Sequence, residues 1–468
     1  MRPALSLRAA LADVRRRSPG RLHEHTEPLG TDDVAADFAT RHAGVPATGR
    51  TAPEDVVVHR QVTGHRHPVL LGLYGDERRV RAWLPGLPER TDPRVAARLL
   101  AAARPPQQVA DPPCACLDAT GEGLGALPVL QTTPRDAGPY LTMGLLCAPA
   151  ADGGRPVLSV HRMLVLDDKR LTVWMVPGRR LRALYEETVA RGERLPVTVN
   201  IGVPPAVMIA SALNARFLPA HLGKLDVAGA LAGAPVTLGR PASGTSAVTL
   251  AESEIVVEGH LDGTTAPESL AGPPRGSLPE FLGYDGSARP DLPVLTVTAI
   301  TTREAPLYQA CIGPGREQSV ILGLAGALSV ALSLSDGAGP HLVHDLHFSP
   351  AGGGMLLLTV AVRKRSPADD DALGPLARRI LTAHPFVKLV VFTDDDIDVA
   401  AAEDVLWAMT TRANLGTDAI TLDGFRPLGM DLSQGEAWTA ERGPGGSGRT
   451  WIDATAPFRL RDLVRRSY

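Results

Sequence analysis

The stretch Val157–Val176 (VLSVHRMLVLDDKRLTVWMV) carries the clearest fold signal in this chain of 468 residues. Apolar residues dominate Val157–Leu166, and the pair Asp167-Asp168 that follows marks a turn. Leu171–Val176 is apolar again and predicts the returning strand of a β-hairpin. We therefore expect the middle of the chain to be rich in antiparallel strands.

Helical patterns lie on both sides of this hairpin. Leu5–Arg17 and Leu181–Arg191 repeat their apolar residues at helical spacing, and helices alternate with strands over Ser319–Phe392. Mixed helices and strands of this kind predict an α/β fold. A proline-rich linker near Pro105–Pro113 and the later change in pattern divide the chain into three predicted domains, 1–118, 119–305 and 306–468.

Composition excludes several classes of protein. Hydrophobic residues make up 44% and charged residues 21%, so the chain is globular rather than disordered. The net charge of -3 provides no basic field for nucleic acid or for an anionic membrane, and only 4% of the residues are aromatic. The apolar run Ser319–Ser335 falls short of the ~20 residues of a membrane span and predicts a buried helix. We expect a cytoplasmic protein with no nucleic-acid or membrane partner.

The basic residues are unusual. Four of the 48 are lysines, Lys169, Lys224, Lys364 and Lys388, which leaves 44 arginines. A coding bias explains most of this excess, and it predicts that an anion site here will be an arginine site. The four cysteines are too few for a disulfide framework, and Cys114 with Cys116 does not complete a zinc site.

Short motifs spread in order over nearly the whole chain are similar to those of the UbiD family of decarboxylases. They are Ser6–Leu11, Gly64–Gly75, Asp136–Thr142, Ser159–Arg162, Ile201–Pro205, Ser253–Gly259, Asp394–Val399, Trp407-Ala408, Thr411-Arg412 and Ile452–Thr455. Each motif is moderately specific, and their collinear order makes the resemblance strong.

The resemblance implies a fold and a chemistry. The fold is an N-terminal α/β domain, a central split β-barrel that binds flavin, and a C-terminal α/β domain that assembles a homodimer or a higher homo-oligomer. The cofactor is prenylated FMN, supplied by a partner flavin prenyltransferase. The substrate is a small carboxylic acid, aromatic or α,β-unsaturated, from which a UbiD-type carboxy-lyase removes the carboxylate.

The resemblance also implies a catalytic trio of Glu, Arg and Glu. Arg162 matches the arginine, and Glu280, three residues before Gly283-Tyr284, matches the last glutamate. Counting from the upstream motif places Glu268 at the first glutamate, whereas counting back from Gly272-Pro273 places Ala271 there. We prefer Glu268, because the upstream spacing is nearly unchanged. Glu280 is then the expected general acid.

The cofactor site departs from the family. The resemblance assigns Val160, His161 and Arg162 to cofactor binding and Glu254 to a metal that bridges the flavin phosphate. The other two family ligands, an Asn and a His, are replaced here by Val157 and Arg180. This replacement argues against a divalent metal.

Our hypothesis is that a guanidinium takes the place of the metal, because its fork binds phosphate bidentately. Arg180, or its neighbour Arg179, would then pair with both Glu254 and the phosphate. Arg449 stands where the family has a phosphate-binding lysine.

Alternatives remain open from the sequence. Flavin binding could have been lost, with Arg180 an ordinary surface arginine. The chain could then be a UbiD-fold enzyme with other chemistry and no prenylated FMN, or a non-catalytic UbiD-like subunit of a heteromeric complex.

Overall fold

The computed structural model describes residues 6–42, 53–150, 153–270, 276–279, 284, 286–313, 315–335, 341–429, 431–443, 446–464 and 466. The chain forms two compact units. The first comprises Met1–Gly86, Ala102–Ala215 and Pro219–Gln318, and the second comprises Leu87–Ala101, Arg216–Leu218 and Ser319–Tyr468. The three-domain division stays a prediction.

The described residues contain 21 strands: β1 Leu22–His25, β2 Val56–His59, β3 Val69–Leu71, β4 Gln107–Gln108, β5 Leu117–Asp118, β6 Tyr140–Leu141, β7 Leu145–Ala148, β8 Val157–Val160, β9 Met163–Asp167, β10 Arg170–Thr172, β11 Leu195–Ile201, β12 Thr237–Gly239, β13 Thr249–Leu250, β14 Ile255–Ala266, β15 Leu292–Thr302, β16 Tyr308–Gln309, β17 Val343–Phe348, β18 Leu357–Val362, β19 Leu389–Asp394, β20 Ala419–Leu422 and β21 Arg449–Ala454.

The same residues contain 13 α-helices: α1 Leu7–Arg17, α2 Thr31–Arg41, α3 Glu77–Trp83, α4 Pro93–Ala101, α5 Arg180–Ala190, α6 Pro205–Ser211, α7 Lys224–Ala232, α8 Arg316–Ser333, α9 Ala368–Asp371, α10 Leu373–Ala383, α11 Ala402–Thr411, α12 Leu415–Asp418 and α13 Glu436–Arg442. Mixed helices and strands confirm the predicted α/β class. Among the described residues, no helix has the length and apolar character needed to cross a bilayer.

A nine-stranded sheet forms the centre of the first unit. Its order is β6-β9-β10-β15-β14-β11-β7-β8, with β5 pairing beside β15, and it curls into a half-barrel. Neighbouring strands along this path run antiparallel, and the long pair β14 and β15 forms its middle. Its inner face packs a continuous apolar core that includes Val199, Val257 and Leu295. The strand-rich middle expected from the sequence is thereby confirmed.

The structure corrects the predicted hairpin at one point. Val157–Leu166, expected as one strand, is interrupted at His161 and Arg162. The first part pairs with β7, whereas the second pairs with β6 and β10. The two interrupting side chains bond to partners of their own, Trp174 O and the Glu268 carboxylate. The break therefore places two consecutive polar side chains where the chain passes from β8, at one end of the strand order, to β9, near the other end.

A smaller sheet in the first unit joins distant parts of the chain. Its order is β1-β2-β3-β16, so Tyr308–Gln309 pairs with Val69–Leu71 near the start of the chain. A three-stranded sheet, β13-β12-β4, completes the unit. The second unit has a five-stranded sheet, β17-β18-β19-β21-β20, in which β18, β19 and β21 run parallel. Its apolar core includes Phe392 and Ile380.

Two buried carboxyl groups, those of Glu54 and Glu317, hold the first unit together at the start of α8. Glu54 accepts hydrogen bonds from the backbone N–H groups of Arg316, at 3.0 Å, and of Glu317, at 3.2 Å. Glu317 in turn accepts from the N–H groups of Gly72, at 3.0 Å, and Tyr74, at 2.9 Å. Each side chain thus joins segments more than 240 residues apart.

The raised pKa values of these two carboxyl groups lead us to expect a less stable protein above neutral pH. Burial raises the pKa of Glu54 from 4.5 to about 8, with a further contribution from Glu317, whose own pKa burial raises to about 7. Because both folded values lie above the unfolded ones, the stabilisation is complete below pH 4.5 and is lost as pH rises through 7 to 8. We expect the free energy of unfolding to fall steadily as pH rises from about 4.5 to about 8.

Denaturant titrations across this pH range would measure the effect. The variant Glu54→Gln should be less stable at low pH and should show a flatter pH dependence, because it removes one of the two titrating groups. If the free energy of unfolding of Glu54→Gln changed with pH as steeply as that of the wild type, Glu54 would not be one of the titrating groups.

Candidate active site

The interruption between β8 and β9 brings Arg162 against Glu268. The Nε and Nη2 atoms of Arg162 donate to the two carboxylate oxygens of Glu268 at 2.7 and 2.9 Å. The Glu268 side chain is completely buried, and 9% of the Arg162 side chain is exposed. A bidentate pair in such surroundings fixes the plane of the guanidinium. The structure therefore brings together two of the three predicted catalytic side chains, which lie 106 residues apart.

Glu268 is also held by the residues around it. It accepts from the Tyr140 hydroxyl at 3.2 Å and from the Arg289 backbone N–H at 3.1 Å. Burial, with the carboxylate of Glu268, raises the pKa of Tyr140, so its hydroxyl keeps its proton and acts as a donor. With the fork from Arg162, these contacts satisfy both oxygens of the carboxylate. These contacts fix the position of the Glu268 carboxylate, which in turn orients the guanidinium of Arg162.

Trp174 packs beside this pair. The guanidinium of Arg289 lies 4.6 Å from the centre of a Trp174 ring, and that of Arg162 lies 5.9 Å from it. Both distances are within the reach of a cation–π interaction. Tyr140 lies within the motif Asp136–Thr142, but no role was predicted for it. Trp174 and Arg289 lie outside the motifs, and the scarcity of aromatic residues was the one signal that pointed to Trp174.

His161 presents an unused nitrogen next to Arg162. Its Nδ1 is 2.8 Å from the Trp174 carbonyl oxygen, which makes that nitrogen the donor, while the buried Nε2 has no hydrogen-bond partner among the described residues. Burial, with the charges of Lys224 and Arg179, lowers the pKa of His161 to about 4. His161 is therefore a neutral ring close to two cations.

Lys224, the first residue of α7, is the cation at the centre of this group. Its Nζ donates to two backbone carbonyl oxygens, those of Leu158 at 3.3 Å and of Ser211 at the end of α6. Burial, with the charge of Arg179, lowers its pKa from 10.5 to about 7. Within the described residues, Lys364 and Lys388 instead pair with carboxylates, those of Asp370 and Asp431. The sequence analysis missed Lys224, although a lysine opening an apolar helix in an arginine-rich chain was a signal.

Glu254 does not meet Arg180, and this corrects the predicted pairing. The fully buried Glu254 carboxylate accepts from Nε and Nη2 of Arg8, at 2.9 and 2.8 Å. It also accepts from the Leu307 N–H at 3.0 Å, and Arg303 Nη1 lies 3.5 Å away. Because two arginines already neutralise Glu254, it serves to hold α1 to the end of β15.

Gly202 shows how tightly Glu254 is enclosed. Its φ of +72° is a conformation that favours glycine, and an added Cβ would lie 2.5 Å from the Cγ of Glu254. The backbone conformation and the lack of space beside Glu254 thus explain why the motif Ile201–Pro205 has a glycine at position 202.

The two other predicted arginines have different surroundings. Arg180 is exposed at the first turn of α5. Arg449 is buried in the second unit, where it donates to the carbonyl oxygens of Ser447, at 3.2 Å, and Arg426, at 3.0 Å. Its Nη1 and Nη2 groups are thus engaged with backbone carbonyl oxygens, whereas its buried Nε has no hydrogen-bond partner among the described residues. Its expected role as a phosphate ligand has no support in these contacts.

The remaining predicted site residues are placed as follows. Val157 is buried in β8, and Val160 ends that strand. Glu280, and the alternative Ala271, lie outside the described residues.

Two cofactor groups implied by the resemblance can be compared with these side chains. A divalent metal does not fit: Val157 offers no ligand atom, Arg180 is a cation, and Glu254 is committed to two arginines. A flavin phosphate fits better. Lys224 and Arg179 supply positive charge, and the unpartnered Nε2 of His161 lies near them.

Comparison with known proteins gives the family. Residues 107–317 match the 3-octaprenyl-4-hydroxybenzoate carboxy-lyase Rift-related domain, and residues 321–454 match the C-terminal domain of the same carboxy-lyases. A gallate decarboxylase from Lactiplantibacillus plantarum is 32% identical over 339 residues, which are 72% of this chain and 69% of that protein.

Solved structures agree. The apo structure of a 3,4-dihydroxybenzoic acid decarboxylase from Enterobacter cloacae is 29% identical, with a TM-score of 0.89, covering 100% of this chain and 97% of that one. The UbiD-class enzyme HmfF from Pelotomaculum thermopropionicum, in complex with FMN, is 26% identical with a TM-score of 0.82, covering 99% and 97%. An evolved dimeric form of HmfF, in complex with prFMN, is 25% identical with a TM-score of 0.77 and the same coverage. This chain belongs to the UbiD family of decarboxylases.

Proposed function

We propose that this protein is a prenylated-FMN-dependent decarboxylase of an aromatic or α,β-unsaturated carboxylic acid. The observation that carries the proposal is the buried fork between Arg162 and Glu268, beside His161 and the Lys224 cation. The gallate and 3,4-dihydroxybenzoic acid decarboxylases among its relatives support an aromatic acid. The FMN and prFMN bound by HmfF support a flavin.

The reaction breaks the bond between the substrate carbon and its carboxylate, and CO₂ leaves. The electron pair stays on the substrate side, and the carbon then takes a proton. Bound prenylated flavin supplies a place for that electron pair. In our proposal Arg162 binds the substrate carboxylate, Glu268 orients Arg162, and Glu280 delivers the proton. Such positioned proton transfer contributes typically ~10²–10⁴-fold in rate.

We further propose that Lys224 anchors the flavin phosphate in place of a metal. Its amine has two neutral carbonyl oxygens as partners, and burial, with the nearby Arg179 charge, disfavours its protonated form. A phosphate dianion would remove that penalty, because an opposite charge within a few ångströms favours the protonated amine. The expected arginine anchor, Arg180, is replaced in this proposal by a lysine. The homo-oligomer, the split barrel and the supply of cofactor by a flavin prenyltransferase remain parts of the proposal.

Co-expression with a flavin prenyltransferase tests the function. We expect the purified protein to show flavin absorption at one flavin per chain and to release CO₂ from 3,4-dihydroxybenzoate or a related aromatic acid. A flavin-free protein that still decarboxylates would indicate a different chemistry on this fold. A flavin-free, inert protein would point to a non-catalytic subunit. Either result would overturn the proposal.

A further inference from the structure

Four histidines gather on one face of the small sheet of the first unit, away from the Arg162–Glu268 pair in sequence. His23 and His25 are two residues apart on β1, so their side chains leave the same face of the sheet. His59 on β2 pairs in register with His25. His42 follows α2 and lies over them, with its ring centre 4.5 Å from that of His23 and 5.0 Å from that of His25.

The ring nitrogens of this group point at one another. His25 Nε2 and His42 Nε2 are 2.7 Å apart, and His23 Nε2 is 2.8 Å from Asp55 Oδ2. One ligand atom from each of His23, His42 and Asp55 can be chosen so that all three lie within 4.8 Å of one another. Since Zn–N bonds are about 2.0–2.1 Å long, small side-chain rotations would bring such atoms onto one ion.

The surroundings of the cluster match those of a metal site. Arg21 Nη1 donates to Asp55 Oδ1 at 2.9 Å, which orients the carboxylate and leaves Oδ2 directed at His23. His25, whose Nε2 lies 2.7 Å from that of His42, supplies the fourth ligand atom that a tetrahedral site requires.

His59 is a second, independent sign of an unfilled polar site. Its side chain is fully buried, and neither ring nitrogen has a hydrogen-bond partner among the described residues. Its nearest carboxylate oxygen, Asp37 Oδ2, is 3.8 Å away, beyond hydrogen-bond distance. Its ring centre is 5.4 Å from that of His25. Buried polar groups normally form hydrogen bonds, so a buried imidazole without any is energetically unfavourable and needs a structural explanation.

We propose that His23, His25, His42 and Asp55 bind a transition-metal ion of the zinc class. Three imidazoles and one carboxylate are the ligand types that suit Zn²⁺, and no site for substrate is left in a four-ligand shell. The ion would fasten α2 to the edge of the β1-β2-β3-β16 sheet. This role is structural, and it does not depend on the flavin or on the decarboxylase reaction.

Metal titration of the full-length, tag-free protein tests the proposal. After treatment with a chelator, we expect the protein to bind one Zn²⁺ per chain, and Co²⁺ to give the visible absorption bands of a tetrahedral site. Zn²⁺ should also raise the melting temperature. His23→Gln, a half-buried position, should reduce Zn²⁺ affinity at least 10-fold, and Asp55→Asn should act in the same direction.

His341→Gln is the matched control, because His341 forms a comparable contact with Asp369, 3.4 Å away, in the second unit. Its metal binding should equal that of the wild type. Absence of tight Zn²⁺ binding by the wild type, or binding that survives His23→Gln unchanged, would overturn the proposal. Circular dichroism on each variant separates loss of the ion from loss of the fold.

Discussion

The variant Arg162→Lys is expected to lose decarboxylase activity by at least about 10²-fold while remaining folded. Lysine keeps the positive charge, but it cannot reproduce the two parallel hydrogen bonds that Arg162 makes to Glu268. The substrate carboxylate would then meet a mobile point charge, and misplacement by about 1 Å costs on the order of 10²-fold in rate. Steady-state release of CO₂ by the flavin-loaded protein measures the effect.

Arg170→Lys is the matched control for this experiment. Arg170 makes a similar contact with Asp167, at 2.7 Å from its Nε, but both side chains are exposed. A surface pair of this kind contributes little, so activity should stay near that of the wild type. Retention of more than a third of wild-type activity by Arg162→Lys would show that the fork is structural.

Glu268→Gln separates the role of Glu268 from that of Arg162. The amide keeps one oxygen acceptor but loses the charge that balances the guanidinium. If Glu268 acts by orienting Arg162, we expect kcat to fall with flavin binding unchanged. A variant that fails to bind flavin would instead place Glu268 in the cofactor site.

The variant Lys224→Met is expected to lower the affinity for FMN by about 10–100-fold. A hydrogen bond to a charged group contributes about 1.5–3 kcal/mol, and here it would be made at a partly buried amine. Quenching of flavin fluorescence on binding measures the dissociation constant. Riboflavin, which lacks the phosphate, provides the control ligand, because its weaker binding should be unchanged by the substitution.

Titration of Lys224 predicts the pH dependence of this binding. The pKa of the free amine is lowered to about 7, so the cation is present below that pH and is lost above it. We therefore expect the affinity of the wild type for FMN to decline as pH rises through 7 to 8. The affinity of Lys224→Met should be lower at every pH and should change less with pH.

Two controls protect the interpretation of Lys224→Met. Lys224 also bonds to the last carbonyl of α6, so its loss will lower stability, and the binding data must be taken where the variant is folded. Lys169→Met, an exposed lysine of the same unit, should bind FMN as the wild type does. Equal FMN affinity in Lys224→Met and wild type would leave Lys224 with its helix-capping role alone.

Local pattern predicted much of the fold and part of the site. The α/β class and the strand-rich middle followed from periodicity, and Glu268 was chosen over Ala271 by its spacing from an upstream motif. The structure places Glu268 against Arg162. Sequence pattern could not show which of several possible side chains pairs with a given residue in the folded protein. Glu254 was predicted to bind a metal or to pair with Arg180, but Arg8, 246 residues away, pairs with it.

The site residues that were missed share one property: their role depends on burial and on distant neighbours. The pKa of Lys224 is lowered by burial and by the nearby charge of Arg179. Neither the burial nor the proximity can be read from a local stretch of sequence. The histidines of the small sheet belong to three separate elements or their ends. Only the alternation at His23 and His25 was visible as a local pattern.

The contact between Arg8 and Glu254 has a consequence for how the protein is made. The bond between Arg8 of α1 and Glu254 cannot form until Glu254 and the segment to Leu307 have left the ribosome. At roughly 5–20 residues per second, the start of the chain waits on the order of 15–60 s for its partner. During that delay the small sheet also lacks β16, and its edge stays unpaired. The nascent chain therefore carries an unpaired strand edge during this delay, and such an edge is a site where aggregation can begin.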